Sequence, residues 1–437
     1  MPAIVNLSHG RPYLAIPGPS VVPDRVQRAM HRAAPNIYEG ELHSLTASLW
    51  PDLRAVAGTV HNVACYIGNG HALWEAVNTN LFSRGDKVLV LASGAFGLGW
   101  ANVASAMGVD VEIMDFGRSS APDMARVEAR LRADAGAQIV AVLTTHVDTA
   151  TTARTDVVGL RAAMDRAGHP ALLAVDCIAS MGCDEFRMDD WGVDVAFAAS
   201  QKGLLLPPGI GFVWFSEKAR AVGRKANLRT PYWDWRPRAN ATEFWQYWAG
   251  TAPTHHLFGL GEALRMILNE EGLPQVWARH AALAQAVHAA FEHWGQGGDI
   301  ALNVADPAFR AHSVTAVRIG NGGAGRLRAW CETQAGVTLG IGLGMAEPDE
   351  PTYGDFLRVA HMGHVNAHMT LGALAVMEAG MQALSIPHGK GALEAAPAVV
   401  AGAMRACPRR RTPTASGRPR ASDRGSARRR PAPVRHA

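Results

Sequence analysis

The sequence predicts an α/β protein: a larger part built on a mostly parallel sheet covered by helices, followed by a smaller α+β part. Two observations lead there. Strand-like and helix-like runs alternate from about residue 60 to 220, the pattern of a parallel sheet with helical crossovers. The run Leu172-Leu173-Ala174-Val175 is apolar throughout rather than at every second position, which marks a strand buried on both faces.

The elements follow in order. Residues 87–91 are a strand and 98–107 a helix; 111–115 are a strand and 122–131 a helix. Residues 138–144 are a strand, and 156–167 a helix capped by Thr155 or Asp156. Residues 170–176 form a strand ending in Asp176, and the apolar run 193–198 leads into Ser200-Gln201-Lys202. The apolar run 210–215 follows through Pro207-Pro208-Gly209, a link too short for a helical crossover, so this strand runs antiparallel. After Thr251, apolar residues recur at three and four over 256–268, a helix bridging the two parts. Helix continues over 276–294, 313–319 is a strand, and a helix over about 366–384 follows Arg358. The expected division is an N-terminal arm at 1–20, a large domain at 21–255 and a small C-terminal domain at 256–405. A disordered Arg/Pro-rich tail takes up 406–437.

Composition bounds the function. The chain has 437 residues, 48% of them apolar, enough for a large core. No uninterrupted apolar stretch reaches the roughly 20 residues of a membrane span, and the amino terminus lacks the charged start and apolar centre of a signal peptide. Five cysteines without metal-ligand spacing fit a reducing compartment, hence a cytoplasmic location. The net charge of +4 belongs to the tail, which from Pro408 onward carries ten arginines and one acid, Asp423. Without it, 32 basic side chains stand against 37 acidic ones. The tail has too few apolar residues to fold, and we read it as an extension without a binding role rather than as a nucleic-acid arm.

Three places carry chemistry. Lys202 sits among apolar residues, where burial disfavours the ammonium form; an amine able to lose its proton can form an imine with an aldehyde. Asp176 ends a buried strand, where open α/β sheets bind ligands. Gly68-Asn69-Gly70-His71 opens a helix, whose unpaired N–H groups and positive dipole end attract an anion. Its glycine spacing matches neither a P-loop nor a dinucleotide fingerprint. Taken alone, each admits a plainer reading: a lysine head escaping to solvent, a helix cap, a common Gly-X-Gly turn. Together, Asp176 and Lys202 are the carboxylate and amine that pyridoxal phosphate requires at its ring nitrogen and its aldehyde. His71 and Glu75 share a helix face, but no third metal ligand accompanies them.

In this order the motifs resemble the class V aminotransferases of fold type I, and among them the alanine–glyoxylate and serine–glyoxylate group. The resemblance runs from Pro17-Gly18-Pro19-Ser20 to about Met381. It implies a seven-stranded, mostly parallel sheet and a homodimer that uses pyridoxal 5'-phosphate. It also implies roles: Asn69, Gly70 and His71 at the cofactor phosphate, Phe96 stacked on the ring, and Thr149 in contact with the cofactor. Asp176 is then placed at the ring nitrogen and Ile178 beneath the ring, with Gln201 beside Lys202, the Schiff-base lysine. Thr251 reaches the phosphate across the dimer interface, and Arg358 holds the substrate carboxylate. The sequence departs from the family where His-Arg-Ser-Pro-Glu-Phe is replaced by Pro35-Asn36-Ile37-Tyr38-Glu39-Gly40-Glu41, and where Trp248 stands three positions before Thr251. The segment 272–280 and His361-Met362-Gly363 also resemble pyridoxamine–pyruvate relatives.

The expected reaction moves an amino group from alanine or serine to glyoxylate or pyruvate, with Lys202 as imine-forming amine and general base and Asp176 as its partner. A cysteine desulfurase of the same fold requires a mobile cysteine, whereas Cys331 falls in a helical pattern. A lyase or decarboxylase of this fold differs by having no keto-acid-dependent exchange of the cofactor between aldehyde and amine forms. A non-enzymatic binding protein predicts a colourless product with salt-sensitive DNA binding.

Overall fold

The computed structural model describes residues 6–406. Its strands are β1 (Tyr13–Ala15), β2 (Asn62–Gly68), β3 (Lys87–Ala92), β4 (Asp110–Asp115), β5 (Ile139–Thr145), β6 (Leu172–Asp176), β7 (Val195–Ala199), β8 (Gly209–Phe215), β9 (Ile300–Leu302), β10 (Val314–Ile319), β11 (Val337–Ile341) and β12 (Phe356–Ala360). Seven of them form one sheet in the order β2-β8-β7-β6-β5-β3-β4. Strand β8 alone is reversed, antiparallel to β2 on one side and β7 on the other. The short Pro207-Pro208-Gly209 link leaves it no other direction.

The burial of both faces explains the continuous apolar runs. In β6, Leu173 and Val175 join one core cluster while Leu172 and Ala174 join another. In β7, Ala196 and Ala198 divide from Val195 and Phe197 in the same way. Alternate side chains of a strand point to opposite faces, so each layer of helices needs its own apolar set.

The second sheet has the order β1-β11-β12-β10-β9. Strand β1 enters it parallel to β11, far along the chain. Its core joins Val317, Leu339, Leu357 and Val359 to Phe291, Trp294, Leu374 and Met377 from the helices. The helical stretch expected over residues 256–268 is α-helical over Thr254–Leu264 and then widens to a π-helix over Arg265–Glu271. Gly272, with φ of 85°, breaks it before the helix Leu273–Trp294.

Asp156, not Thr155, caps the helix Val157–Arg166, accepting from the Gly159 N–H at 2.9 Å. A helix over Glu41–Ala57 and one over Ala392–Ala406 add to those read from the sequence. No described helix is long and apolar enough to cross a membrane, and no cluster of three metal-ligating side chains occurs among the described residues. The disorder expected of the tail falls, from residue 407 on, outside the described residues.

Candidate active site

The parallel strands end along one edge of the large sheet, and the chemistry-bearing residues collect there. Strand β2 runs into the turn at residues 69–71, β3 into Gly94 and Phe96, and β5 into Asp148 and Thr149. Strand β6 ends on Asp176, and β7 is followed by Gln201 and Lys202. Arg358 arrives from the other sheet, in β12.

Asn69 is the N-cap of the helix Gly70–Leu81, its side chain accepting from the Ala72 N–H, and no acid lies in the first turn. The first N–H groups of that turn have no acceptor within the helix, and His71 beside them is exposed. Gly70 packs so closely on Ile178 that an added Cβ would lie 2.6 Å from Ile178 Cδ1. His71, Trp74 and Phe96 form a ring cluster, with centroids 4.6 Å apart for His71–Trp74 and 6.4 Å for Trp74–Phe96.

Asp176 is buried, and its carboxylate accepts from Trp74 Nε1 and from the Ile178 N–H, both at 2.8 Å. Burial pushes its pKa up to about 7; those two hydrogen bonds and the Lys202 charge act against this, and Asp148 adds to it. Burial and then the Arg358 cation lower Lys202 to about 8, while the Asp176 carboxylate pulls it back up. The Lys202 ammonium donates to the Pro17 carbonyl. Gly18 lets that segment cross the lysine: a Cβ there would fall 2.5 Å from Nζ. Ser20 fixes the other side, its hydroxyl donating to the Lys202 carbonyl at 2.8 Å.

Arg358 is 5% exposed and pairs with no described carboxylate. It donates from Nε to the Ile341 carbonyl at 2.7 Å and from Nη1 to the Thr149 carbonyl at 2.9 Å. Burial lowers its pKa to about 10, with Asp148 acting the other way. Its remaining N–H donors are left for an anion.

Residues 64–361 match the family Aminotransferase class-V. The serine–glyoxylate aminotransferase of Methylorubrum extorquens is 35% identical over 380 residues, covering 84% of this chain and 90% of that protein. The L-aspartate–glyoxylate aminotransferase of Paracoccus denitrificans is 34% identical, covering 85% and 91%. Among solved structures, pyridoxamine–pyruvate aminotransferase from Mesorhizobium loti superposes with a TM-score of 0.80 at 25% identity, covering 90% of this chain and 98% of that one.

The chain belongs to the class-V aminotransferases. It is a pyridoxal-phosphate-dependent transaminase of fold type I.

The residues of this aminotransferase suit that cofactor on their own terms. The acid-free helix start and the close Gly70–Ile178 approach leave a cradle that any side chain at position 70 would fill. Gln201 Oε1 is buried without a hydrogen-bond partner among the described residues, an acceptor awaiting a donor. Of the residues singled out from sequence, Asn69, Gly70, His71, Phe96, Thr149, Asp176, Ile178, Gln201, Lys202 and Arg358 lie along this edge. Thr251 does not join them; it is exposed, in the segment after the short helical turn Phe244–Tyr247.

Sequence reasoning missed two side chains. Trp74 is the indole donor to Asp176; the available signal was a tryptophan within a buried helix face, whose N–H needs an acceptor. Asp148 accepts from the N–H groups of Phe96 at 2.9 Å, Gly97 at 3.1 Å and Ala150 at 3.0 Å. It thereby fixes both the helix carrying Phe96 and the turn whose Thr149 carbonyl orients Arg358. The signal was an acid directly before Thr149 in an otherwise uncharged stretch.

Proposed function

We propose that this transaminase takes its amino group from alanine or serine and delivers it to glyoxylate or pyruvate. The observation that carries the reading is the electrostatic triangle of Lys202, Asp176 and Arg358, which leaves one buried guanidinium free for one carboxylate. The names of the glyoxylate-using relatives support the acceptor.

Pyridoxal phosphate, when bound, supplies an aldehyde for amine exchange and a ring that accepts the electron pair left at Cα. The turn at residues 69–71 would hold its phosphate, Phe96 and Ile178 its ring, and Asp176 its ring nitrogen, with Thr149 and Gln201 as further contacts. Lys202 serves as the proton carrier. An amine with a pKa of about 8 is about one-tenth neutral at pH 7, so it accepts a proton from Cα and returns one without a strong external base. The Pro17 carbonyl orients that amine. Asp176, ionised once a cationic nitrogen faces it, keeps the nitrogen's proton in place. Arg358 grips the substrate carboxylate with paired N–H donors, which sets Cα within reach of Lys202. The absence of a second free cation among these residues favours monocarboxylates.

We further infer a homodimer in which the exposed Thr251 reaches the partner's phosphate site, and a domain division near residue 255. The four cysteines among the described residues are buried and unpaired, which accords with a reducing compartment, and we place the enzyme in the cytoplasm. A second reading, a pyridoxamine–pyruvate type of donor use, is favoured by the superposition of 0.80. It is disfavoured by the acid-free helix start, which suits a phosphorylated cofactor.

The test is a set of half-reactions on the reconstituted enzyme, read as loss of the yellow absorbance. Alanine or serine is expected to bleach it, and glyoxylate or pyruvate to restore it. Borohydride is expected to fix the cofactor's mass on the Lys202 peptide. Silence towards alanine and serine with bleaching by pyridoxamine would replace the first reading with the second.

A further inference from the structure

We propose that Arg238 is a positioning residue for the phosphate end of the site, acting through the open edge of β2. This rests on the reading of residues 69–71 as the phosphate turn. Among the described strands, β2 has a neighbour on one side only, β8. Along such an edge the outward carbonyls recur at every second residue and need partners. The last two before the turn are those of Cys65 and Ile67, and both are taken by side chains of one segment. Arg238 Nη1 donates to the Cys65 carbonyl at 2.7 Å, and the Tyr232 hydroxyl to the Ile67 carbonyl at 3.3 Å.

Arg238 also holds that segment together. It donates to the carbonyls of Tyr232 at 2.6 Å and Tyr247 at 3.2 Å, and its guanidinium lies 4.4 Å from the Tyr66 ring and 5.0 Å from the Tyr232 ring. The Tyr66 hydroxyl returns the contact by donating to the Trp233 carbonyl at 2.9 Å. Tyr247 opens the short path to Thr251, so one guanidinium braces both the strand that delivers Asn69 and Gly70 and the segment that carries Thr251.

The cost of this brace argues for a purpose beyond packing. Arg238 is 0% exposed and pairs with no described carboxylate; Asp234, nearby in sequence, is engaged by Arg236 Nε at 2.9 and 3.0 Å. Its own Nε has no partner among the described residues. A buried, unpaired cation is expensive where an apolar side chain of similar shape would fill the space. A cation beside the strand that leads to an anion turn lends that turn positive potential, and the low-dielectric surroundings extend its reach.

The discriminating experiment compares two ligands that differ only in the phosphate. Cofactor-free wild type, Arg238→Met, Arg238→Lys and Tyr232→Phe are titrated with pyridoxal phosphate and with pyridoxal, following tryptophan fluorescence and the near-ultraviolet absorbance. Arg238→Met is expected to weaken pyridoxal phosphate by at least about tenfold, the size of one lost hydrogen bond to a charged group, and pyridoxal by less than about twofold. Arg238→Lys, which keeps the charge but not the fork, is expected to fall between. The half-exposed Tyr232 tolerates Phe, so that variant carries the test if Arg238→Met fails to fold; a selective loss of about threefold is expected. Equal losses for both ligands, or none for either, would overturn the positioning role. A wild type with no preference for the phosphorylated ligand would overturn the phosphate turn itself, a failure visible before any variant is compared.

Discussion

Removal of the indole N–H from Asp176 by Trp74→Phe has a consequence that can be worked out before the experiment. Asp176 titrates near 7 in the folded chain against an ordinary 3.8, so the folded state holds that proton more tightly by about 4 kcal/mol. The sign follows from the direction. A carboxyl whose folded pKa is raised contributes stability that is complete below about pH 4 and is lost as the pH rises through about 7. Trp74 opposes the shift, because its hydrogen bond favours the ionised form. A hydrogen bond to a charged group contributes about 1.5–3 kcal/mol, so its loss moves Asp176 from about 7 to between about 8 and 9. Urea unfolding of the cofactor-free protein between pH 4.5 and 9 measures this, with Asp176→Asn in both backgrounds as the subtraction that isolates the group. In the wild type the Asp176-dependent stability is expected to fall by about 3 kcal/mol and level off just above pH 7. In Trp74→Phe it is expected to start at about the same level, fall further and still be falling at pH 8. The packing cost of the smaller ring is independent of pH and drops out of the comparison. Curves that level off at the same pH would refute the idea that Trp74 sets the charge state of Asp176.

Two further substitutions probe the rest of the site. Arg358→Met is expected to lower kcat/KM for alanine by about 100-fold, as a paired charge-assisted grip is lost, while the yellow Lys202 adduct still forms; steady-state kinetics beside the absorbance spectrum checks both. Gly70→Ala drives a methyl to 2.6 Å from Ile178 Cδ1 and is expected to cost about 1–3 kcal/mol by thermal melting, with weaker cofactor binding. Ile178→Val in the same chain removes the clashing carbon and is expected to restore much of that loss.

How much of this was legible depended on whether the signal was local. The apolar runs around Leu173 and Phe212 exposed the sheet because a strand buried on both faces must be apolar at every position. The reversal of β8 could be read from the Pro207-Pro208-Gly209 link, since chain length alone forbids a crossover. Asp176 and Lys202 were readable because each stands at the end of such a run. The contacts that tune them were not. Nothing local to Trp74 says that its indole meets a carboxylate 102 residues away, and β1 is three residues long with a partner near residue 337. Nothing in the sequence singles out Arg238; the bare edge of β2 and the rings of Tyr66 and Tyr232 give it its buried place. The role of Thr251 rests on family resemblance alone, and the single chain leaves it exposed.

One cause displaces the three charged groups of the site. Burial pushes Asp176 up, and Lys202 and Arg358 down; each displacement is towards the neutral form, and each measures a missing counter-charge. A ring-nitrogen proton would answer Asp176, and a substrate carboxylate would answer Arg358. The first would return Asp176 towards an ordinary carboxylate. The second would lift the pressure that the Arg358 cation exerts on the lysine, making Lys202 a stronger proton acceptor when the substrate is seated. A carboxylate-free amine of the same size gives no such lift. On this argument the clamp does more than orient Cα, and the acid limb of the pH profile for an amino acid should lie above that for the matching simple amine. Coincident limbs would mean that Arg358 acts on Lys202 through position alone.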